Sequence, residues 1–280
     1  METDIIELYG GFTKPLLSFP YLVVLILVTF PLAVFVGFKI GAFERRRLGY
    51  EKLPADQLPG ATSLGAMLAL LGLLLGFAFS SAINWREDRQ SELVQEANAI
   101  STAFLTASLV TEQNRTALQE KILAYGKTRL ATEDDIENVQ AWRSFLTRTM
   151  QAQAAIWPTA EIILSETTSD PIRVAVVNSL THMLDAHNLR IAAAAQHIPI
   201  PAKMMISIAA FAALTIVGNR SALHGRSLTW RTFALAFLLA VVIIVIFDLD
   251  RSLEGTMRSN PDTLLAVIHD MEGTLAARGE

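Results

Sequence analysis

The residues with the right types for chemistry are charged groups set beside apolar blocks. Arg86, Arg89 and Glu96 follow one block, Asp185 and Arg190 precede another, and Asp248, Asp250 and Arg251 follow the last. If the chain crosses a bilayer four times, the end of the second span, both ends of the segment between the span pairs and the end of the fourth span share one membrane face. All eight groups then belong to a single layer at that face. They admit two readings. Interfacial charges that solvate helix ends form scattered ion pairs, each worth up to about 1 kcal/mol. Repeated by the symmetry of an oligomer, the same groups would form rings around an ion path.

Catalysis has little to stand on. His182 and His187 are separated by five positions, which turns them about 140° apart on a helix and prevents the shared metal ligation of an i, i+4 pair. The five histidines therefore read as surface or interfacial groups. The sequence carries neither a Gly-rich phosphate loop nor a nucleophile elbow nor a carboxylate dyad in a recognisable frame. With no cysteine, thiolate chemistry and disulfides are excluded. No catalytic residue, metal or cofactor is expected, and an enzyme is not the reading. A net charge of −4 without a polybasic tract gives no sign of a nucleic-acid partner.

The elements that must position the charges are helices. Hydrophobic residues make up 52% of the chain and the mean hydropathy is +0.39, raised by discrete blocks. Four blocks are long enough to span: Pro20 to about Phe43 with Pro31 inside it, Leu64 to Ile83, Pro201 to Val217, and Trp230 to Phe247. No strand-like alternation is present. The expectation is an all-α integral membrane protein with four transmembrane helices in a 2 + 2 arrangement. Residues 1–83 hold the N-terminal segment and the first pair, 84–200 a helical extramembrane insert, 201–247 the second pair, and 248–280 a polar tail with a short helix over Thr263 to Met271.

The second span is the organising stretch. After Ile83 no Gly or Pro stops the helix, and Leu93, Ala97, Ile100, Phe104 and Ala107 keep one apolar stripe at helical period. One helix of roughly 45 residues should leave the membrane and become a wall of the insert. Within the membrane, Gly65, Ala69, Gly72, Gly76 and Ser80 lie on one face and include a small-xxx-small pair that admits a close helix. That stripe suits tight packing inside the subunit, or alternatively a subunit interface or pore.

Within the insert, Thr111 should cap a helix presenting Leu118, Ile122, Tyr125 and Arg129. One helix should run from about Asp134 to Trp157. Asp170-Pro171 should open another as N-cap and first residue, with Val177, Leu180, Leu184 and Ile191 inward. Lys203, near the start of the third span, should snorkel to the headgroups. The N-terminus lacks the basic region of a cleaved signal, so the first apolar block reads as a retained membrane helix. The four spans are expected to make a multi-pass protein of the plasma (inner) membrane. Both short connections are basic: Lys39, Arg45, Arg46, Arg47 and Lys52 in one, Arg220, Arg226 and Arg231 in the other. The opposite side carries Lys14, Arg86, Arg89, Arg190, Arg251 and Arg258. Charge bias thus leans to an extracytoplasmic insert.

The chain resembles the bacterial bestrophin-like domain family of membrane proteins. The resemblance rests on Gly72-Leu-Leu-Leu-Gly76-Phe77-Ala-Phe79 before Arg86-Glu-Asp-Arg89, on Glu96-Ala-Asn98-Ala-Ile100, on Asn178-Ser-Leu180 with Asp185 and Arg190, and on Asp248-Leu-Asp250-Arg251 with Gly255. A more remote similarity reaches the bestrophins, which are pentameric anion channels. It implies a homo-oligomer in the lipid bilayer passing small ions, with the second span around a central pore. The neck positions it implies are Ala69, Leu73 and Phe77, with Ala69 smaller than a neck residue should be. It also implies an insert in the cytosol, against the charge bias. Asp248 and Asp250 are similar to part of the calcium site of some bestrophins, yet two carboxylates fall short of the six to eight oxygens calcium takes. The function implied is an ion channel, for anions. The alternative is a non-conducting scaffold or sensor whose insert binds a partner.

Overall fold

The computed structural model describes residues 18–49, 61–136, 138–167, 169–251, 256–257 and 259–279. Lys14, Lys52, Gly255, Arg258 and the loop from Tyr50 to Pro59 lie outside these described residues. Ten α-helices are described: α1 Phe19–Arg47, α2 Ala61–Thr106, α3 Glu112–Thr128, α4 Glu133–Ile136, α5 Val139–Ala154, α6 Ile156–Thr167, α7 Asp170–Ala195, α8 Ile200–Leu223, α9 Trp230–Leu249 and α10 Asp262–Gly279. Among the described residues there is no strand. Four helical stretches are long and apolar enough to cross a membrane. They contain α1, α2, α8 and α9. The chain divides into a membrane unit, from residues 15–85 and 197–257, and a helical unit, from residues 86–196 and the C-terminal segment.

In the membrane unit α1 and α8 run parallel, because Gly37 meets Thr215 and, one turn on, Gly41 meets Asn219. A methyl at Gly37, Gly41 or Gly218 would overlap backbone of the other helix, so glycine at these three positions sets the interhelical distance. Ala33, Val34, Ala210, Ala213 and Leu214 fill the seam, and α9 adds Ala236, Ala240, Ile243 and Ile246. Pro31 sits inside α1 without interrupting it. Its missing N–H and ring are tolerated because neighbouring helices supply the packing.

α2 is a single helix of 46 residues, ending in a 3-10 turn over Ala107–Leu109 and an extended Val110. It contributes to both units. Leu71, Ala78 and Ala82 join the core of the membrane unit, whereas Leu93, Ala97, Ile100, Phe104 and Ala107 join that of the helical unit. α3 brings Leu118, Ile122 and Tyr125 to the second core, each wholly buried. Thr111 takes the N-cap position of α3 but its side chain makes no cap bond. The free Phe104 carbonyl near the end of α2 accepts from Gln119 Nε2 at 3.0 Å, and Gln119 Oε1 accepts from Arg278 Nη1 at 2.7 Å. That closes one of the carbonyls every helix end leaves open.

Several expectations need correcting. The single helix expected from Asp134 is three: α4, then α5 capped by Asn138 Oδ1 accepting the Ala141 amide at 2.9 Å, then α6. Trp157-Pro158 opens α6 instead of closing a helix, since a proline in a first turn removes only an amide that would be unpaired anyway. Ser169, not Asp170, takes the N-cap geometry of α7. The inward face of α7 is Val176, Leu180, Met183 and His187, one position away from Val177, Leu184 and Ile191, which are half-buried. The C-terminal helix is twice the expected length, 18 residues, because Leu264, Ile268 and Met271 have a core to join.

Candidate functional site

The first candidate is the open face of α2 in the membrane unit. At about 100° per residue, Leu71, Ala78 and Ala82 define the side turned to the subunit's own core. Ala69, Leu73 and Ser80 then fall within about 20° of the opposite side, flanked by Gly65, Gly72 and Gly76 on one hand and Phe77 on the other. All seven are exposed. Among the described residues a methyl group on Gly65, Gly72 or Gly76 would meet nothing within 4 Å beyond its own helix. No described side chain or neighbouring helix of the subunit packs on the glycine stripe, which speaks for the alternative of a face open to another copy. The pair that packs inside the subunit is Gly37 and Gly41. Leu73 and Phe77, one turn apart, are 56% and 65% exposed. The apolar window of α2 is 11% buried, against 22–39% for the other three stretches.

The second candidate lies in the helical unit, around Glu96. About 20 Å along the helix beyond Ile83, the Glu96 carboxylate is completely buried. Its Oε1 accepts from Arg129 Nε at 2.7 Å and from the Tyr125 hydroxyl at 3.3 Å. Its Oε2 accepts from Arg190 Nη1. His187 Nδ1 stands 3.6 Å from Oε1 and 3.1 Å from the Tyr125 hydroxyl. Arg190 Nη2 also donates to the Arg129 carbonyl at 3.4 Å. Burial alone would raise the Glu96 pKa, but the two guanidiniums and the hydrogen bonds outweigh it and hold the carboxyl ionised, well below the usual range. Burial, reinforced by Glu96, pushes the Tyr125 hydroxyl up. Burial pushes the His187 imidazole down, so near neutral pH it is uncharged. One carboxylate thus faces two guanidiniums with two neutral partners, and α2, α3 and α7 are clamped at one point.

Of the eight charged groups singled out in the sequence, Glu96 and Arg190 meet here. Asp185 is exposed and Arg86 half-buried, while buried Arg89 donates to the Gln196 carbonyl at 3.2 Å. Arg129, Tyr125 and His187 were missed as site residues, and His187 is not the surface group expected of it. The signal was present: an arginine on an otherwise apolar stripe, as Arg129 is, requires a buried carboxylate.

Asp248 and Asp250 are buried in the membrane unit, each taken up by protein donors. Asp250 Oδ1 accepts the Ile198 amide at 2.5 Å, and Oδ2 pairs with Lys203 Nζ at 2.5 Å. Lys203 is thus held by Asp250, whereas the sequence suggested the headgroups. Asp248 Oδ1 accepts the Thr256 amide at 2.9 Å, and its Oδ2 accepts the Thr256 hydroxyl. Arg251 lies 5.6 Å from the Phe19 ring centroid. Among the described residues no group of three or more His, Asp or Glu is placed to hold a metal ion.

These features define an all-helical membrane protein with four apolar helices, the second prolonged into a separate helical unit. A family model for the Bestrophin-like domain matches residues 23–264, and the chain belongs to that family. Its fold is shared with solved structures. One, a point variant of a bacterial bestrophin homologue from Klebsiella pneumoniae, has a TM-score of 0.63 at 12% identity, over 91% of this chain and 99% of that one. A second variant of the Klebsiella pneumoniae protein gives 0.61 at 12%, over 92% and 97%. A structure described as a membrane protein gives 0.60 at 15%, over 89% and 97%. No curated protein matches the chain.

Proposed function

We propose that the protein is a homo-oligomeric ion channel, passing anions, whose pore is lined by α2. The observation that carries this reading is the open α2 face, where small residues with no partner among the described residues lie beside exposed Leu73 and Phe77. Glycines that admit close approach suit a neighbouring helix from another copy. Large apolar side chains one turn apart suit a narrow ring that excludes water and so gates the path. Leu64 to Ile83 contains no charged residue, so the neck would act by dewetting. The preference for anions follows from the likeness to bestrophins.

The test is flux through liposomes or planar bilayers for the parent, Leu73→Ala and Phe77→Ala, with assembly size and thermal stability measured alongside. The parent should pass chloride, and each variant should pass more with the assembly intact. Absence of flux from the parent and both well-folded variants, across chloride, nitrate, sodium and potassium, would favour the non-conducting scaffold.

A further inference from the structure

We propose that the end of the membrane unit formed by the last turns of α1 and α8 and the start of α9 binds the phosphodiester headgroup of an anionic phospholipid. Because α1 and α8 run parallel, their C-termini emerge side by side. The turn joining α8 to α9 folds back onto Arg45. Gly225 there has φ +66°, and any side chain on it would collide with the Arg45 guanidinium. Two basic connections far apart in sequence are thereby held together. Arg45, Arg46 and Arg47 come from one and Arg220, Arg226 and Arg231 from the other, with Lys39 two turns back along α1.

Among the described residues the one acid at this end is Glu44, and its Oε2 accepts from Asn219 Nδ2 at 2.8 Å. None of the seven cations makes an ion pair with a described carboxylate. Three of them lie over aromatic rings instead: Lys39 over Phe35 at 5.3 Å, Arg47 over Phe43 at 5.8 Å and Arg231 over Trp230 at 6.0 Å. Phe43 and Trp230 are 61% and 75% exposed, the pairing of ring and cation that sits at a headgroup layer. Among the described residues Arg45 Nε and Arg220 Nε are buried without a hydrogen-bond partner, although Arg220 Nη2 lies 3.3 Å from His224 Nε2. A membrane protein whose basic loops only obey the charge rule for orientation needs neither their juxtaposition nor buried arginine donors. A headgroup phosphate would complete both, being anionic, rich in acceptors and delivered by the bilayer at this depth.

The experiment is native mass spectrometry of the full chain released from detergent, titrated with dioleoyl phosphatidylglycerol or dioleoyl phosphatidylcholine. The parent should retain phosphatidylglycerol preferentially. The variants Arg45→Gln/Arg220→Gln and, at exposed positions, Arg46→Gln/Arg47→Gln should each weaken it, by about fivefold per arginine removed. Phosphatidylcholine binding should stay unchanged, and Lys121→Gln, an exposed cation of the helical unit, should leave both as in the parent. Equal retention of the two lipids, or phosphatidylglycerol binding unchanged in the exposed double variant, overturns the proposal. So does full displacement of the lipid by millimolar inorganic phosphate, which would make free phosphate the ligand. Melting temperatures of all variants separate loss of the site from loss of the fold.

Discussion

Glu96 is the residue on which the helical unit depends most. Glu96→Gln keeps the shape but leaves the buried Arg129 and half-buried Arg190 guanidiniums without their counter-charge, a change that costs about 3–5 kcal/mol where a buried pair is broken on one side. Tyr125→Phe removes the hydroxyl's bond to the Glu96 carboxylate and its contact with His187 Nδ1, and should cost less, about 1.5–3 kcal/mol. Chemical denaturation of the solubilised protein should rank the two in that order; equal effects would mean that the carboxylate is not the hub. The pH dependence has a definite sign. The folded Glu96 pKa lies below its unfolded value near 4.3, so its stabilisation is complete above that pH and is lost as pH falls through the folded value. The folded His187 pKa lies below its unfolded value near 6.5, so on acidification the unfolded chain takes up that proton before the folded one does. Both effects lower stability as pH falls, the histidine first. In melting curves, the drop between pH 7 and 5 should shrink in His187→Gln, and an unchanged drop would refute the assignment. At this scale the sequence was half legible. Glu96 and Arg190 could be picked out as charged groups near apolar blocks, but their partners could not, because Arg129 and His187 lie 33 and 91 positions further along the chain from Glu96. Only the packing of α3 and α7 brings them in.

At the scale of elements, two sets of glycines should behave oppositely. Gly37→Leu or Gly218→Leu inserts a side chain where the backbone of the partner helix already lies, so the membrane unit itself should unfold or fail to accumulate. Gly72→Leu and Gly76→Leu add bulk to an open face, so the subunit should keep its melting temperature while the oligomer dissociates or changes size. Size-exclusion chromatography with light scattering reads the second effect, and unchanged assembly in both Leu variants would detach the stripe from any interface. The sequence made α2 plain, because a long run without a stop signal and a sustained apolar period leave few alternatives. It could not say which glycine pair packs within the subunit. Gly37-Phe-Lys-Ile-Gly41 and Gly72-Leu-Leu-Leu-Gly76 share the same spacing, and only the presence of α8 against the first distinguishes them. The one-position shift of the α7 face has a similar origin: alanines and a histidine supply much of its buried surface, and hydrophobic periodicity weights neither strongly.

For the whole molecule, the orientation and the assembly remain the consequential predictions. The basic loops argue for an extracytoplasmic helical unit, and the bestrophin likeness for a cytosolic one. The chain has no cysteine, so Glu120→Cys on the exposed side of α3 introduces a unique thiol. Labelling by an impermeant maleimide in intact cells is the result the charge bias predicts; labelling only after lysis would give the bestrophin-like orientation. The central claim, that several copies of α2 surround an ion path, is tested most directly by a single-particle reconstruction of the purified protein in a lipid nanodisc. It should show a closed ring of subunits with α2 innermost and Leu73 and Phe77 directed at the symmetry axis. A monomer, or a ring in which that face of α2 contacts lipid, would contradict it.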